Sequence, residues 1–220
     1  MIKKIKRPKS LVEATLEAIR SGIINGDFQL GQQITELYLS KTFGLSKTPI
    51  REALSLLKSE GLVVSEMHKG FRVFKMDAIE LYEFCELRFA LESQALRSAY
   101  NKNRFDLARK LKIIVKEMEA CKKFNDVKNY DLLDTKFHKT FFILCSNRYL
   151  LKHYENINGI IETLRTHTHK DENCIISSLN FHKKILKYIE ENSLNKSIEE
   201  LDRHIQIWIN DKVIKSLISL

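Results

Sequence analysis

Residues 44–54 read Gly44-Leu45-Ser46-Lys47-Thr48-Pro49-Ile50-Arg51-Glu52-Ala53-Leu54, and this stretch decides the architecture of the first third of the chain. Gly44 ends a short helical segment, about Thr35 to Phe43, for which Thr35 is a suitable N-cap. Ser46 stands at the N-cap position of the next helix. Pro49 falls in that helix's first turn, where a missing N–H costs little. The helix runs to Glu60 and stops at Gly61, and Ile50, Ala53, Leu54 and Leu57 share the face that packs against its partner. Two helices joined by so tight a turn form the core of a helix-turn-helix. The second helix of such a pair enters the major groove of DNA N-terminus first. Here that end offers Ser46, Lys47 and Thr48 to phosphates, and Arg51, one turn inside, to a guanine edge.

Working outward, Leu11 to Asn25 carries apolar residues at helical spacing, and Gly26 and Leu30-Gly31 end that helix. Beyond Gly61, the runs Leu62–Ser65 and Phe71–Phe74 are β-prone and flank His68-Lys69-Gly70, which predicts a hairpin. Lys69 and Gly70 at its tip can lay a cation and a bare stretch of backbone along a minor groove or phosphates. Residues 1–76 hold 13 Lys+Arg against 7 Asp+Glu, whereas residues 77–220 hold 24 against 21. The positive excess thus sits in the smaller, front part, as expected of a module that meets a polyanion. A helical hairpin with ordinary surface charges is the competing reading of the same residues.

Both prolines and six of the seven glycines precede residue 76. Turns and strands are therefore expected at the front, and a domain boundary near 75–77 separates residues 1–76 from 77–220. The back predicts about six long helices: 77–101, 104–123, 127–146, 148–168, 174–192 and 194–218. Asp77, Asn103, Asn125 and Ser193 mark their caps or breaks. The fold class is mainly α, a winged helix-turn-helix followed by an antiparallel six-helix bundle. No run of about 18 apolar residues suggests a membrane span, and no signal-peptide core follows the basic N-terminus, so a cytoplasmic protein is expected. Cys85, Cys121, Cys145 and Cys174 are widely spaced, which suits reduced thiols rather than a disulfide frame.

In the back, polar residues occupy positions where apolar ones belong. Asp134, His138, Phe141 and Cys145 form one helical stripe. His182 lies among Ile175, Leu179, Leu186 and Ile189, and His204 lies between Leu201 and Trp208. A single such histidine is usually a satisfied core residue. One Asp and three His converging from three helices suit a divalent transition metal, Zn²⁺, Ni²⁺ or Mn²⁺, with positions left open for a ligand's oxygens. Arg88, on the stripe Leu81, Phe84, Arg88, Leu91, Ala95, needs an anion. A ligand carboxylate and Glu92 one turn on serve equally well on spacing alone.

The segment from Leu30-Gly31 through Gly44–Leu54 to Gly70 and Val73 resembles the winged-helix domain of GntR-type bacterial repressors. That resemblance implies DNA contacts for Ser46, Lys47, Thr48, Arg51 and Gly70, with Lys69 beside them. The family usually has an arginine after the glutamate of the second helix, and here that position is Leu37. Glu86-Leu87-Arg88, Leu91-Glu92, Asp134-x-x-Phe137-His138, Asn147, His182-x-x-Ile185 and His204-Ile205 resemble the FCD sensor domain. A six-helix count is similar to the VanR-like group. In that domain the Asp and three His hold a metal, which helps to bind a small carboxylate effector.

The resemblance implies a homodimeric, ligand-responsive repressor that binds a pseudo-palindromic operator in double-stranded DNA. Its small organic-acid effector would sit between the metal and Arg88. Two other classes remain. A metalloenzyme would use the open metal positions to activate water, but no general base stands beside the ligands and no nucleophile motif is present. A purely structural metal would stabilise the bundle without an effector.

Overall fold

The structure, a computed structural model, describes residues 10–67, 70–169 and 171–209. The chain divides into two compact units, Met1–Lys75 and Met76–Leu220.

In the first unit, α1 (Leu11–Ile24) begins with a capping box in which Ser10 and Glu13 satisfy each other's backbone N–H groups. It is followed by β1 (Gln33–Ile34), α2 (Glu36–Phe43), α3 (Lys47–Ser59), β2 (Val63–Glu66) and β3 (Gly70–Val73). The three strands form one antiparallel sheet in the order β1-β3-β2. Val63 pairs with Val73 and Glu66 with Gly70 across the hairpin, and Ile34 pairs with Phe71 on the other side. The sequence pattern did not foresee β1, because two residues are too few to show a strand's alternation. Ile19, Ile23, Ile34, Leu39, Ile50, Leu54, Leu57 and Val73 are fully buried together with Ala53. Each large apolar side chain among them contributes roughly 1.5–3 kcal/mol of burial.

Gly22 lies in the last turns of α1, where Phe28 folds back and donates its N–H to the Gly22 carbonyl at 3.1 Å. A Cβ there would stand 2.7 Å from Phe28 Cε2. Gly22→Ala is therefore expected to destabilise the protein by about 1–2 kcal/mol, overpacking outweighing the gain in helix propensity. Urea unfolding of the full chain followed by circular dichroism checks this. An unchanged or raised midpoint would show that Phe28 gives way freely.

The second unit is helical throughout the described residues. Its elements are α4 (Ala78–Lys123), α5 (Val127–Cys145), α6 (Arg148–Thr168), α7 (Glu172–Glu190), α8 (Leu194–Gln206) and the 3₁₀ turn η1 (Ile207–Ile209). Asp77 caps α4 through a capping box with Glu80. Hydrogen bonding carries α4 across Asn103, but that residue has φ −160° and ψ 83° and interrupts the helix. Its side chain accepts from the Asp106 N–H, as an N-cap does. The expected break between 101 and 104 is thus a kink, and α4 supplies two of the bundle's six rods. Asn125, Ser146 and Asn192, with φ of 55°, 51° and 59°, turn the chain between successive helices. The last helix, expected to reach 218, tightens at 207 within the described residues, and residues 210–218 lie outside them. α4 packs against α5, α6, α7 and α8 and so forms the spine of the bundle. Among the described residues no helix is long and apolar enough to cross a membrane.

Candidate DNA-binding surface and metal centre

The turn between α2 and α3 is locked by local chemistry. Gly44 takes a left-handed φ of 65° at the C-cap of α2, a conformation that costs other residues more. The Leu45 N–H donates to the Ser40 carbonyl, and the Ser40 hydroxyl donates to the Leu45 carbonyl. Ser46 occupies the N-cap position with extended backbone but makes no capping hydrogen bond. The expectation of a serine cap thus holds for position and fails for the bond. Ser46, Lys47 and Thr48 are exposed, while Pro49 and Ile50 are buried against the rest of the unit. The start of α3 therefore carries solvent-facing hydroxyls and uncapped first-turn N–H groups, the chemistry that phosphate oxygens accept from.

Arg51 is also exposed, with a side-chain exposure of 65%. Its Nε and Nη2 donate to the two carboxylate oxygens of Glu36 at 2.8 and 2.9 Å. The hydrogen bond from Arg51 holds the Glu36 carboxyl below its usual range. This fork-to-fork pair joins the first turn of α2 to α3 and presets the guanidinium's direction. Residues fifteen apart in the chain carry no spacing signal for such a pair. Leu37, next to Glu36, is 54% exposed. Gly70 begins β3 at φ 87°, and its missing Cβ would lie 3.5 Å from the Ile34 carbonyl oxygen. Lys69 lies outside the described residues.

In the second unit, α5 brings Asp134 and His138 one turn apart on its buried face, α7 brings His182 and α8 brings His204. One donor atom from each of the four lies within 4.8 Å of the others. The imidazoles meet through one nitrogen each: His138 Nε2 is 3.2 Å from both His182 Nε2 and His204 Nε2. Asp134 Oδ1 is 3.6 Å from His138 Nε2, and Asp134 Oδ2 is 3.7 Å from His182 Nε2.

Electrostatics favours a cation at that point. Burial pushes His182 down to about 3 and His204 well below its ordinary value, so both rings stay neutral with a lone pair available. Burial opposes ionisation of Asp134, but the Arg165 guanidinium and the neighbouring imidazoles together outweigh it and hold the carboxyl well below the usual range. Three imidazole nitrogens facing one another cannot all be satisfied by hydrogen bonds among themselves. The His182 and His204 Nδ1 atoms have no hydrogen-bond partner either. A divalent ion accepts from all three nitrogens at once, so the donor set fits the expected metal.

Two residues complete the site that sequence reasoning did not assign to it. Glu92 Oε2 lies 2.6 Å from His138 Nδ1. Arg88 Nε donates to Glu92 Oε1 at 2.7 Å. Of the two anions that suited Arg88 by spacing, the structure supplies Glu92, and it adds His138 to that carboxylate. Burial opposes the charge on Glu92, and Arg88 and His138 outweigh it, lowering its carboxyl to about 2. A carboxylate on Nδ1 fixes the tautomer that presents Nε2 as a ligand. Arg165 of α6 is the second. Its Nε meets Asp134 Oδ1 at 2.7 Å, its Nη1 donates to the Thr135 hydroxyl at 2.6 Å, and its buried Nη2 has no hydrogen-bond partner. Its signal was the spacing Tyr154, Ile161, Arg165, Thr168, an inward stripe like those that flagged the histidines.

Comparison with known proteins agrees with both units. Residues 11–73 match the family described as bacterial regulatory proteins, gntR family, and residues 83–207 match the FCD domain. An uncharacterised HTH-type transcriptional regulator of Bacillus subtilis, YdhC, is 26% identical over 211 residues, covering 94% of this chain and 91% of its own. The gluconate operon transcriptional repressor of Bacillus licheniformis is 28% identical over 145 residues, 66% of this chain and 59% of its own. A putative transcriptional regulator GntR of Rhodococcus sp. RHA1 superimposes with a TM-score of 0.76 at 16% identity, covering 91% of this chain and 96% of its own, a likeness of fold. This chain belongs to the gntR family of bacterial regulatory proteins, as a DNA-binding transcriptional regulator that carries an FCD domain.

Proposed function

We propose that the protein is a cytoplasmic, homodimeric repressor whose sensor unit, residues 77–220, binds a divalent transition metal and a small organic acid. Its winged helix-turn-helix, residues 1–76, binds double-stranded operator DNA through Ser46, Lys47, Thr48, Arg51 and Gly70, with Lys69 of the hairpin tip as a further cation. Two such modules in a dimer match a pseudo-palindromic site. Asp134, His138, His182 and His204 would hold the ion, and Arg88 would meet the acid's carboxylate. The metal, when bound, supplies a Lewis-acid centre with open positions for the acid's oxygens. The observation that carries this reading is the meeting of three imidazole nitrogens and one carboxylate within 4.8 Å in a buried core.

Glu92 and Arg165 act as positioning groups: one turns His138, the other keeps Asp134 ionised before any metal arrives. By linkage, an acid that prefers one arrangement of the sensor changes DNA affinity by the factor by which DNA changes acid affinity. The test is retention of genomic fragments selected by the metal-loaded protein. The expected result is release of those fragments by a subset of small mono- and dicarboxylates, a coupling of about 5–150-fold, and no release after chelation. Release that persists unchanged in chelated protein would sink the metal-dependent reading.

A further inference from the structure

The space beside Arg88 is too small for any organic acid as it stands. The cleft lined by Arg88, Asp134, Arg165, His204 and Trp208 has a volume of about 20 Å³. That is about the room one water needs. The largest side chain lining it is that of Trp208. Its indole lies over the Arg88 guanidinium, with Arg88 Cζ 4.5 Å from the ring centroid, and is only 5% exposed. Arg88 Nε is engaged by Glu92, and Nη2 is 3.5 Å from His138 Nε2. The indole lies against this same guanidinium in the cleft, so it narrows the room left beside the N–H groups that remain.

We propose that Trp208 is the gate of the effector site: its indole closes the cleft that a ligand must enter to bring a carboxylate to the N–H groups of Arg88, so a ligand enters only as the indole leaves. This rests on the reading of Arg88 as the anchor of the acid. The exchange is favourable in kind, because a charge-assisted hydrogen bond to guanidinium is stronger than a cation–π contact. The backbone allows it as well. His204 lies in α8, whereas Trp208 lies in η1, where the hydrogen-bond ladder has tightened to the 3₁₀ pattern. Such short turns at a helix end give way more readily than the helix itself. The indole can therefore swing out while His204 keeps its place. The gate also selects its ligand: the vacated space takes a compact carboxylate no bulkier than an indole.

Trp208 is the chain's one tryptophan, so its emission reports the gate directly. The experiment titrates the full-length, Zn²⁺-loaded protein with acetate, benzoate and succinate, following emission and melting temperature together. The expected result is a saturable red shift whose midpoint coincides with that of thermal stabilisation. Trp208→Ala is expected to bind the same acid about tenfold more tightly with unchanged zinc content, since no cation–π contact need be broken. Trp208→Phe keeps a ring in place should the alanine variant fold poorly, and is expected to fall between the two. Binding by the alanine variant alone, at concentrations the wild type ignores, supports the gate equally. Stabilisation without any change in emission, or an unaltered or weaker affinity in both variants, overturns the gate and leaves the effector site standing. Stabilisation of none of the proteins by any of the acids refutes the effector site itself, and the gate with it.

Discussion

Arg51→Ala is expected to remove operator binding while the metal-loaded sensor unit melts as before. The guanidinium is exposed, preset by Glu36, and one turn inside the end of α3 that would lead into the groove. A bidentate contact to a guanine edge is worth about 1–3 kcal/mol. Two half-sites in the proposed dimer then lose roughly 30-fold to 10⁴-fold in affinity. The measurement is a gel shift on fragments selected by the wild-type protein, repeated at several salt concentrations. If Arg51 reads a base, affinity falls with little change in salt slope; if it touches only phosphate, the slope falls by about one ion per contact. A variant that binds those fragments as tightly as wild type would remove Arg51 from the interface. Circular dichroism guards against a trivial cause, because an exposed side chain on a helix surface contributes little to the fold.

The double substitution His182→Ala/His204→Ala is expected to abolish metal binding, from about one ion per chain to none after dialysis. It deletes two of the four donors and both of the imidazoles that burial keeps neutral. A remaining Asp134–His138 pair on one helix is a weak, open site. The loss is read by elemental analysis and, independently, by heat. An ion present at 100 times its dissociation constant stabilises the folded state by about 2.7 kcal/mol. That corresponds to roughly 5–10 °C in a protein of this size. The wild type is expected to show that metal-dependent rise and the double variant to lack it. Wild-type metal content in the double variant would end the assignment of the centre. The ion pairs around the centre argue for a role beyond stability. Arg88–Glu92 and Arg165–Asp134 are both buried, and pairs of this kind add little net stability although breaking one costs about 3–5 kcal/mol. Their geometry instead orients His138, through Glu92, and Asp134, two of the proposed metal ligands.

Much of the molecule was legible from local chemistry. Gly44, Pro49 and Gly61 punctuate the front, and a glycine's freedom or a proline's missing N–H acts on its own few residues whatever surrounds it. Asp77 and Asn103 marked helix starts for the same reason. Helical period put Asp134, His138, His182, His204 and Arg88 on inward faces, because burial of a stripe is written into the spacing along one helix. The sequence could also place Arg88 and Glu92 one turn apart, but it could not say whether the guanidinium met that glutamate or something else.

What one helix presents to another is not written along either. The 3.2 Å meeting of His138 with His182 and His204 depends on the rotation and depth at which α5, α7 and α8 pack. So does the capture of Asp134 by Arg165 from α6. Strand β1 exists only because β3 offers it a free edge, and the clasp of Arg51 by Glu36 exists only because α2 and α3 cross where they do. The amino-acid order by itself determined which residues face inward and where most helices begin and break, since those follow from backbone sterics and periodicity within a few residues. Only the tertiary structure decided which inward-facing groups meet, because contacts of a few ångströms between distant segments are set by how whole helices pack.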